Sequence, residues 1–101
     1  MIDLEKWGIT MMNGEVQNIE NPDTFHIPNQ NWRFQLMEDT LVKIIFEMWE
    51  GPERMWVKVV EQLEDGNYIG ELANEPFQDS EFALGDEFFF HAKHIIQIWE
   101  D

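Results

Sequence analysis

Twenty-one Asp and Glu against six Lys and Arg give this 101-residue chain a formal net charge of -15. Acidic segments that stay disordered have few aromatics and low hydrophobicity, whereas this one is 44% hydrophobic with five Trp and eight Phe. Cysteine is absent, which excludes a disulfide framework, a thiol nucleophile and a Cys-type zinc site. A chain of this size folds to a surface of roughly 6,000 Å2, so one net charge falls on each ~400 Å2. The resulting spacing of about 20 Å exceeds the ~8 Å Debye length of physiological salt. Self-repulsion is therefore mostly screened, and a single small domain that gains stability with salt is expected.

The opening residues, Met1 to Lys6, lack the basic and apolar regions of a secretion signal. Apolar runs such as Ile44-Ile45-Phe46 and Phe88-Phe89-Phe90 are far too short to cross a bilayer. The expected location is the cytoplasm. Asn13-Gly14 is a favourable two-residue hairpin turn, across which Ile9 and Met11 could pair with Val16 or its neighbours. Residues 1–19 thus read as an N-terminal extension or hairpin ahead of residues 20–101. Asn21-Pro22-Asp23 and Ile27-Pro28-Asn29 punctuate the chain. Between Pro28 and Asp39, Trp32, Phe34 and Leu36 could line a short helix capped by Asn29 or Asn31.

From Leu41 the pattern has period two. Val42, Ile44, Phe46 and Met48 share one face, with Lys43 and Glu47 on the other. Gly51-Pro52 breaks the run. Met55, Val57 and Val59 then alternate with Trp56, Lys58 and Val60, and Asp65-Gly66-Asn67 supplies a second turn before Tyr68, Gly70 and Leu72. Such alternation between Gly, Pro, Asn and Asp clusters marks antiparallel hairpin strands. The runs Phe88–Phe90 and Ile95–Trp99 favour strand by their aromatic and β-branched content. The expected fold is mainly β, a small antiparallel sheet curled into a partly open barrel with minor helix. The alternative is an α+β sheet with one covering helix from the N-terminal third.

The series Glu53-Arg54-Met55-Trp56-Val57, Tyr68-Ile69-Gly70-Glu71-Leu72-Ala73-Asn74-Glu75-Pro76, Leu84-Gly85-Asp86 and His94-Ile95-Ile96 resembles a widespread group of small bacterial proteins designated a domain of unknown function. Asn21-Pro22-Asp23-Thr24-Phe25 and Val42-Lys43-Ile44 are also similar to that group. The resemblance spans about three quarters of the chain and leaves Met1 to about Ile19 outside it. Met37-Glu38-Asp39 departs from the Gly-Asp turn expected there, which leaves the turn type open. The resemblance implies a fold and no reaction. On the residues alone, Gly70 suggests a bulge or a close backbone approach, and Arg54 beside Glu53 suggests a structural ion pair.

Catalytic chemistry finds little support. The single serine, Ser80, sits between Asp79 and Glu81, whose charges do not activate it, and no nucleophile elbow surrounds it. No Gly-rich phosphate loop and no cofactor motif is present. His91 and His94 are three apart with Ala92-Lys93 between them, which suits a turn closed by a His-to-backbone hydrogen bond better than a metal site. A small metal-dependent enzyme using His91 and His94 is the weakest reading, and neither a cofactor nor a catalytic residue is expected. Binding remains. Glu47, Glu50 and Glu53 gather around Gly51-Pro52, and Glu61, Glu64 and Asp65 precede Gly66. Trp56 shares its face with Lys58, which makes it a candidate contact anchor. These residues point to a non-catalytic acidic module for a protein partner, with a basic protein the candidate and with nucleic acid and membrane disfavoured. An immunity-type or inhibitory protein that neutralises a basic toxin or nuclease is the alternative. Oligomeric state is left open.

Overall fold

The alternating segments become the strands of one sheet. In the computed structural model, which describes residues 1–100, they run as β1 (Thr10–Met11), β2 (Leu41–Met48), β3 (Gly51–Gln62), β4 (Asn67–Leu72), β5 (Glu87–His91) and β6 (Ile95–Ile98). Two short helices, α1 (Gly14–Glu20) and α2 (Gln30–Arg33), precede β2. Every pairing is antiparallel, in the order β1-β2-β3-β4-β5, with β6 also paired to β2. The free edge of β2 is shared: β6 takes Val42 to Ile44, and β1 takes Phe46 and Glu47. A 3-10 turn at Ala92–His94 carries the chain from β5 to β6. Because β5 and β6 occupy opposite margins of the sheet, this link curls it into a half-barrel. The mainly β reading holds, and no covering helix replaces it.

One side of every strand supplies the core. Val42, Ile44 and Phe46 face Met55, Val57 and Val59, then Tyr68, Leu72, Phe88, Phe90 and Ile95, all buried. Phe46, Phe82 and Phe88 form a triangle of rings with centroids 5.2 to 5.8 Å apart. Tyr68 stacks on Phe90 at 5.1 Å. Gly70 is required beneath that stack, since a Cβ there would meet Val57 Cγ1 at 2.5 Å and the Phe90 ring at 2.7 Å. Leu4 and Ile9 enter the same core. Burial of each such side chain contributes about 1.5–3 kcal/mol, so residues 1–19 are integral to the fold rather than an appendage.

One turn differs from the sequence expectation, and a second takes a form the sequence left open. Asn13-Gly14 is not a hairpin turn: Asn13 is extended and its Oδ1 accepts the Val16 N–H at 3.1 Å, capping α1. Asn serves both roles well, and here burial of Gly14 against Ile96 and the backbone of Lys93 and Ile95 selects the cap. Strand β1 pairs across to β2, not back onto Val16. At Glu38-Asp39 the chain turns with Asp39 at φ 71, and its N–H donates to Val59 O at 2.8 Å. Asp tolerates this left-handed conformation without glycine. The expected helix after Pro28 is present but only four residues long, with Asn29 as its cap.

The helices are tied to the sheet by polar contacts. Arg33 is 4% exposed. Its Nη1 donates to Glu15 Oε2 at 2.6 Å and Ala92 O at 3.1 Å, and its Nε donates to Pro28 O at 2.8 Å. Paired and hydrogen-bonded in this way, the charge is tolerated inside and links α1, α2 and the turn before β6. The buried Tyr68 hydroxyl donates to Arg33 O at 2.7 Å and accepts the Leu36 N–H at 3.2 Å. Burial raises the Tyr68 pKa, partly offset by the Leu36 hydrogen bond.

Candidate partner-binding surface

Two acidic turns lie at opposite ends of β3. At about 3.3 Å per residue, its length holds them roughly 30 Å apart, several Debye lengths. Glu47, Glu50 and Glu53 belong to one end; Glu61, Glu64 and Asp65 belong to the other. They do not converge on one patch.

The β2–β3 end is a tight hairpin. Trp49 and Glu50 form the turn, and Gly51 follows at φ 114. Neither strand face can cover a side chain at the apex, so Trp49 is 98% exposed. The backbone beneath it is nevertheless fastened. Glu53 Oε1 and Oε2 accept the N–H groups of Gln78 at 3.0 Å and Phe77 at 3.3 Å. Gln78 returns two bonds to the hairpin: Nε2 donates to Gly51 O at 2.9 Å, and Oε1 accepts the Glu50 N–H at 2.8 Å. This lattice binds the 73–86 loop to the hairpin and sets Phe77, also fully exposed, near the same end. Glu53 is thereby a half-buried structural acceptor. Glu47 and Glu50 remain exposed, as do Glu75, Asp79 and Glu81 of the loop. The hairpin apex thus carries one bare ring, Trp49, on fastened backbone, and the loop bonded to Glu53 carries a second, Phe77, with exposed carboxylates on both segments.

The β3–β4 end is built differently. Asp65 adopts φ 58 and Gly66 φ 81. A Cβ on Gly66 would lie 2.4 Å from the Phe34 ring. His91 Nε2 donates to Asp65 O at 2.9 Å, which fixes the tautomer, because His91 Nδ1 accepts the Lys93 N–H at 2.9 Å. Glu61, Glu64 and Asp65 are exposed, but the turn that carries them has no aromatic residue of its own. Phe89 of β5 borders a hollow beside it with Leu63.

Trp56 lies on the outer sheet face and is only partly exposed. Its ring is occupied from within the chain: Lys43 Nζ sits 4.5 Å from the ring centroid, and Trp99 meets it edge-on at 5.3 Å. Its backbone N–H donates to Asn74 Oδ1. The cation is a cross-strand neighbour, since Lys43 pairs with Trp56 on one side and with Gln97 on the other. Lys58 meets Glu71 at 3.8 Å on this face, while Arg54 is exposed and makes no ion pair among the described residues. The ion pair expected for Arg54 is absent: successive strand residues point to opposite faces, so Glu53, whose carboxylate is bonded to the 77–78 backbone, lies away from it. No other acid reaches Arg54 among the described residues.

His91 and His94 cap the turn between β5 and β6 reciprocally. His94 Nδ1 accepts the His91 N–H at 3.0 Å, while His91 Nδ1 caps Lys93. Both Nδ1 lone pairs are thus spent on backbone donors. The His94 pKa is pushed down to about 4, by burial first and then by the charges of Lys93 and His91, with Glu15 opposing. No group of three His, Asp or Glu stands close enough to hold a metal among the described residues.

Trp49 and Phe77 carry no motif that singles them out in the sequence. A signal exists for Trp49 all the same: it stands in the turn between two alternating runs, where a pleated face cannot bury it. Comparison with protein-family models, with curated proteins and with solved structures gives no match to this chain.

Proposed function

We propose that this chain is a non-catalytic acidic binding module that docks a basic protein partner through the apex of the β2–β3 hairpin, in a bacterial cytoplasm. The observation that carries the reading is the pair of fully exposed rings, Trp49 and Phe77, on backbone held by Glu53 and Gln78. Exposed aromatics on fastened backbone are the usual anchors of protein interfaces, because little conformational entropy is lost on binding. The surrounding carboxylates Glu47, Glu50, Glu75, Asp79 and Glu81 favour a cationic partner and speed encounter. Imitation of nucleic acid is less well supported. Duplex DNA presents a charge every ~1.7 Å of axis, and here the acidic turns stand at opposite ends of β3. An inhibitory or immunity-type role is the narrower form of the same reading, in which the captured partner is a toxin or nuclease and loses activity.

The test is capture from bacterial cytosol on the immobilised protein, at low and high salt, beside the Trp49→Ala/Phe77→Ala variant. Expected is recovery of a basic protein that weakens with salt and is lost with the variant. Recovery of no basic protein, or equal recovery by the variant, overturns the reading.

A further inference from the structure

The fastened hairpin apex does more than present Trp49; it forms one wall of a hollow. The opposite wall is the N-terminal segment, where the 3-10 turn Leu4–Trp7 leads into β1. The hollow has a volume of about 230 Å3, and its lining includes Trp7, Ile9, Met48, Trp49, Asp79 and Glu81. That volume lies below the ~300–1,000 Å3 of small-molecule sites, which suits a single long side chain. The lining divides by chemistry. Ile9 and Met48 give an apolar floor, and the two indoles stand beside it. Asp79 and Glu81 are exposed on the loop side and make no ion pair among the described residues. No Lys or Arg is part of the lining. The bonds from Gln78 to Glu50 and Gly51 hold the loop to the hairpin before any ligand arrives.

An arginine side chain matches the apolar, aromatic and acidic surfaces together. A long cationic residue lays its methylene stem on apolar groups while its head stays polar. Guanidinium stacks on an indole face and bonds carboxylates through a planar fork, which an ammonium cannot do. An apolar side chain would leave the carboxylates unused, and an acidic one would be repelled.

We propose that this hollow receives one arginine side chain of the basic partner, with Asp79 and Glu81 taking the charge and Trp7 and Trp49 flanking the stem and guanidinium. The proposal rests on the docking reading given above and assigns its specificity.

The experiment follows the indole N–H signals of the 15N-labelled full chain, assigned by single Trp→Phe variants, during titration with acetyl-Gly-Arg-Gly-amide at low salt. The citrulline peptide, which keeps the shape and loses the charge, is the control. Expected are saturable shifts of Trp7 and Trp49, with the citrulline peptide weaker by about fivefold. Asp79→Asn/Glu81→Gln should reduce the arginine response to the citrulline level while the other indole signals keep their wild-type positions. Equal responses to both peptides, an unchanged response in the double variant, or shifts confined to Trp32 overturn the proposal. If the captured partner is lost with Trp49→Ala/Phe77→Ala but retained in full by Asp79→Asn/Glu81→Gln, the arginine assignment fails while the docking reading stands.

Discussion

The two ends of β3 look alike in sequence, each a glycine turn crowded with acids, yet they are built for different ends. At Gly66 the turn is pressed inward: Phe34 packs where a Cβ would be, and His91 holds the Asp65 carbonyl. At Gly51 an added Cβ would find nothing within 4 Å, and the neighbouring Trp49 stands in solvent. Acid content at a turn therefore says little about its role. What distinguishes the two is whether the backbone is held by core packing or by polar bonds that leave side chains bare.

Substitution of the two glycines tests that contrast most strongly. Gly66→Ala meets both a positive φ and the Phe34 ring, so a loss of about 2–4 kcal/mol is expected in urea denaturation. Gly51→Ala meets only the backbone strain of φ 114 and should lose about 1–2 kcal/mol. Equal losses would break the distinction.

A pH titration of stability examines the histidine cap that closes the sheet. The His94 pKa is about 4 when folded against 6.5 for the free group, so on acidification the unfolded chain takes up the proton first. The stability due to neutral His94 is complete above about pH 6.5, falls as pH drops, and is fully lost below about pH 4. His94→Asn keeps a side-chain acceptor and removes the titration, so its stability should be flatter across that window. An unchanged slope in denaturation midpoints between about pH 4 and 6.5 would contradict this.

Glu53→Ala removes the acceptor for Phe77 and Gln78 and should cost about 1 kcal/mol. Its larger signature is faster amide exchange confined to the 73–86 loop. Exchange that rises equally at the Gly66 turn would show that the two ends are not independently fastened. The smallest effect on stability belongs to Trp49→Ala/Phe77→Ala, within about 0.5 kcal/mol of wild type because neither ring is buried. A melting temperature well below wild type would mean that the rings support the fold.

How much is legible in the sequence follows from which interactions are local. Strand alternation from Leu41 onward, the turns at Gly51 and Gly66, the close approach at Gly70 and the cap at His94 all rest on period, φ preference or short-range bonding. Asn13-Gly14 misleads because the same pair suits a hairpin and a helix cap, and the choice lies with Ile96, more than eighty residues away. Trp56 draws notice ahead of Trp49 for a related reason. Lys58, two residues along, suggests an open face, whereas Lys43, Trp99 and Asn74, which engage Trp56, come from other segments.

By itself the sequence determined that this acidic chain folds, that it folds mainly as antiparallel strands, and that its acids gather at two turns. Those properties depend on composition and on residues near one another. Only the tertiary structure decided that the turns lie at opposite ends of β3, that Glu53 is committed to the 77–78 backbone, and that Trp49 stands bare at the apex and Phe77 bare on the loop fastened to it. Each of these depends on which distant segment fills, or leaves empty, the space around a side chain, and a one-dimensional pattern carries no record of that.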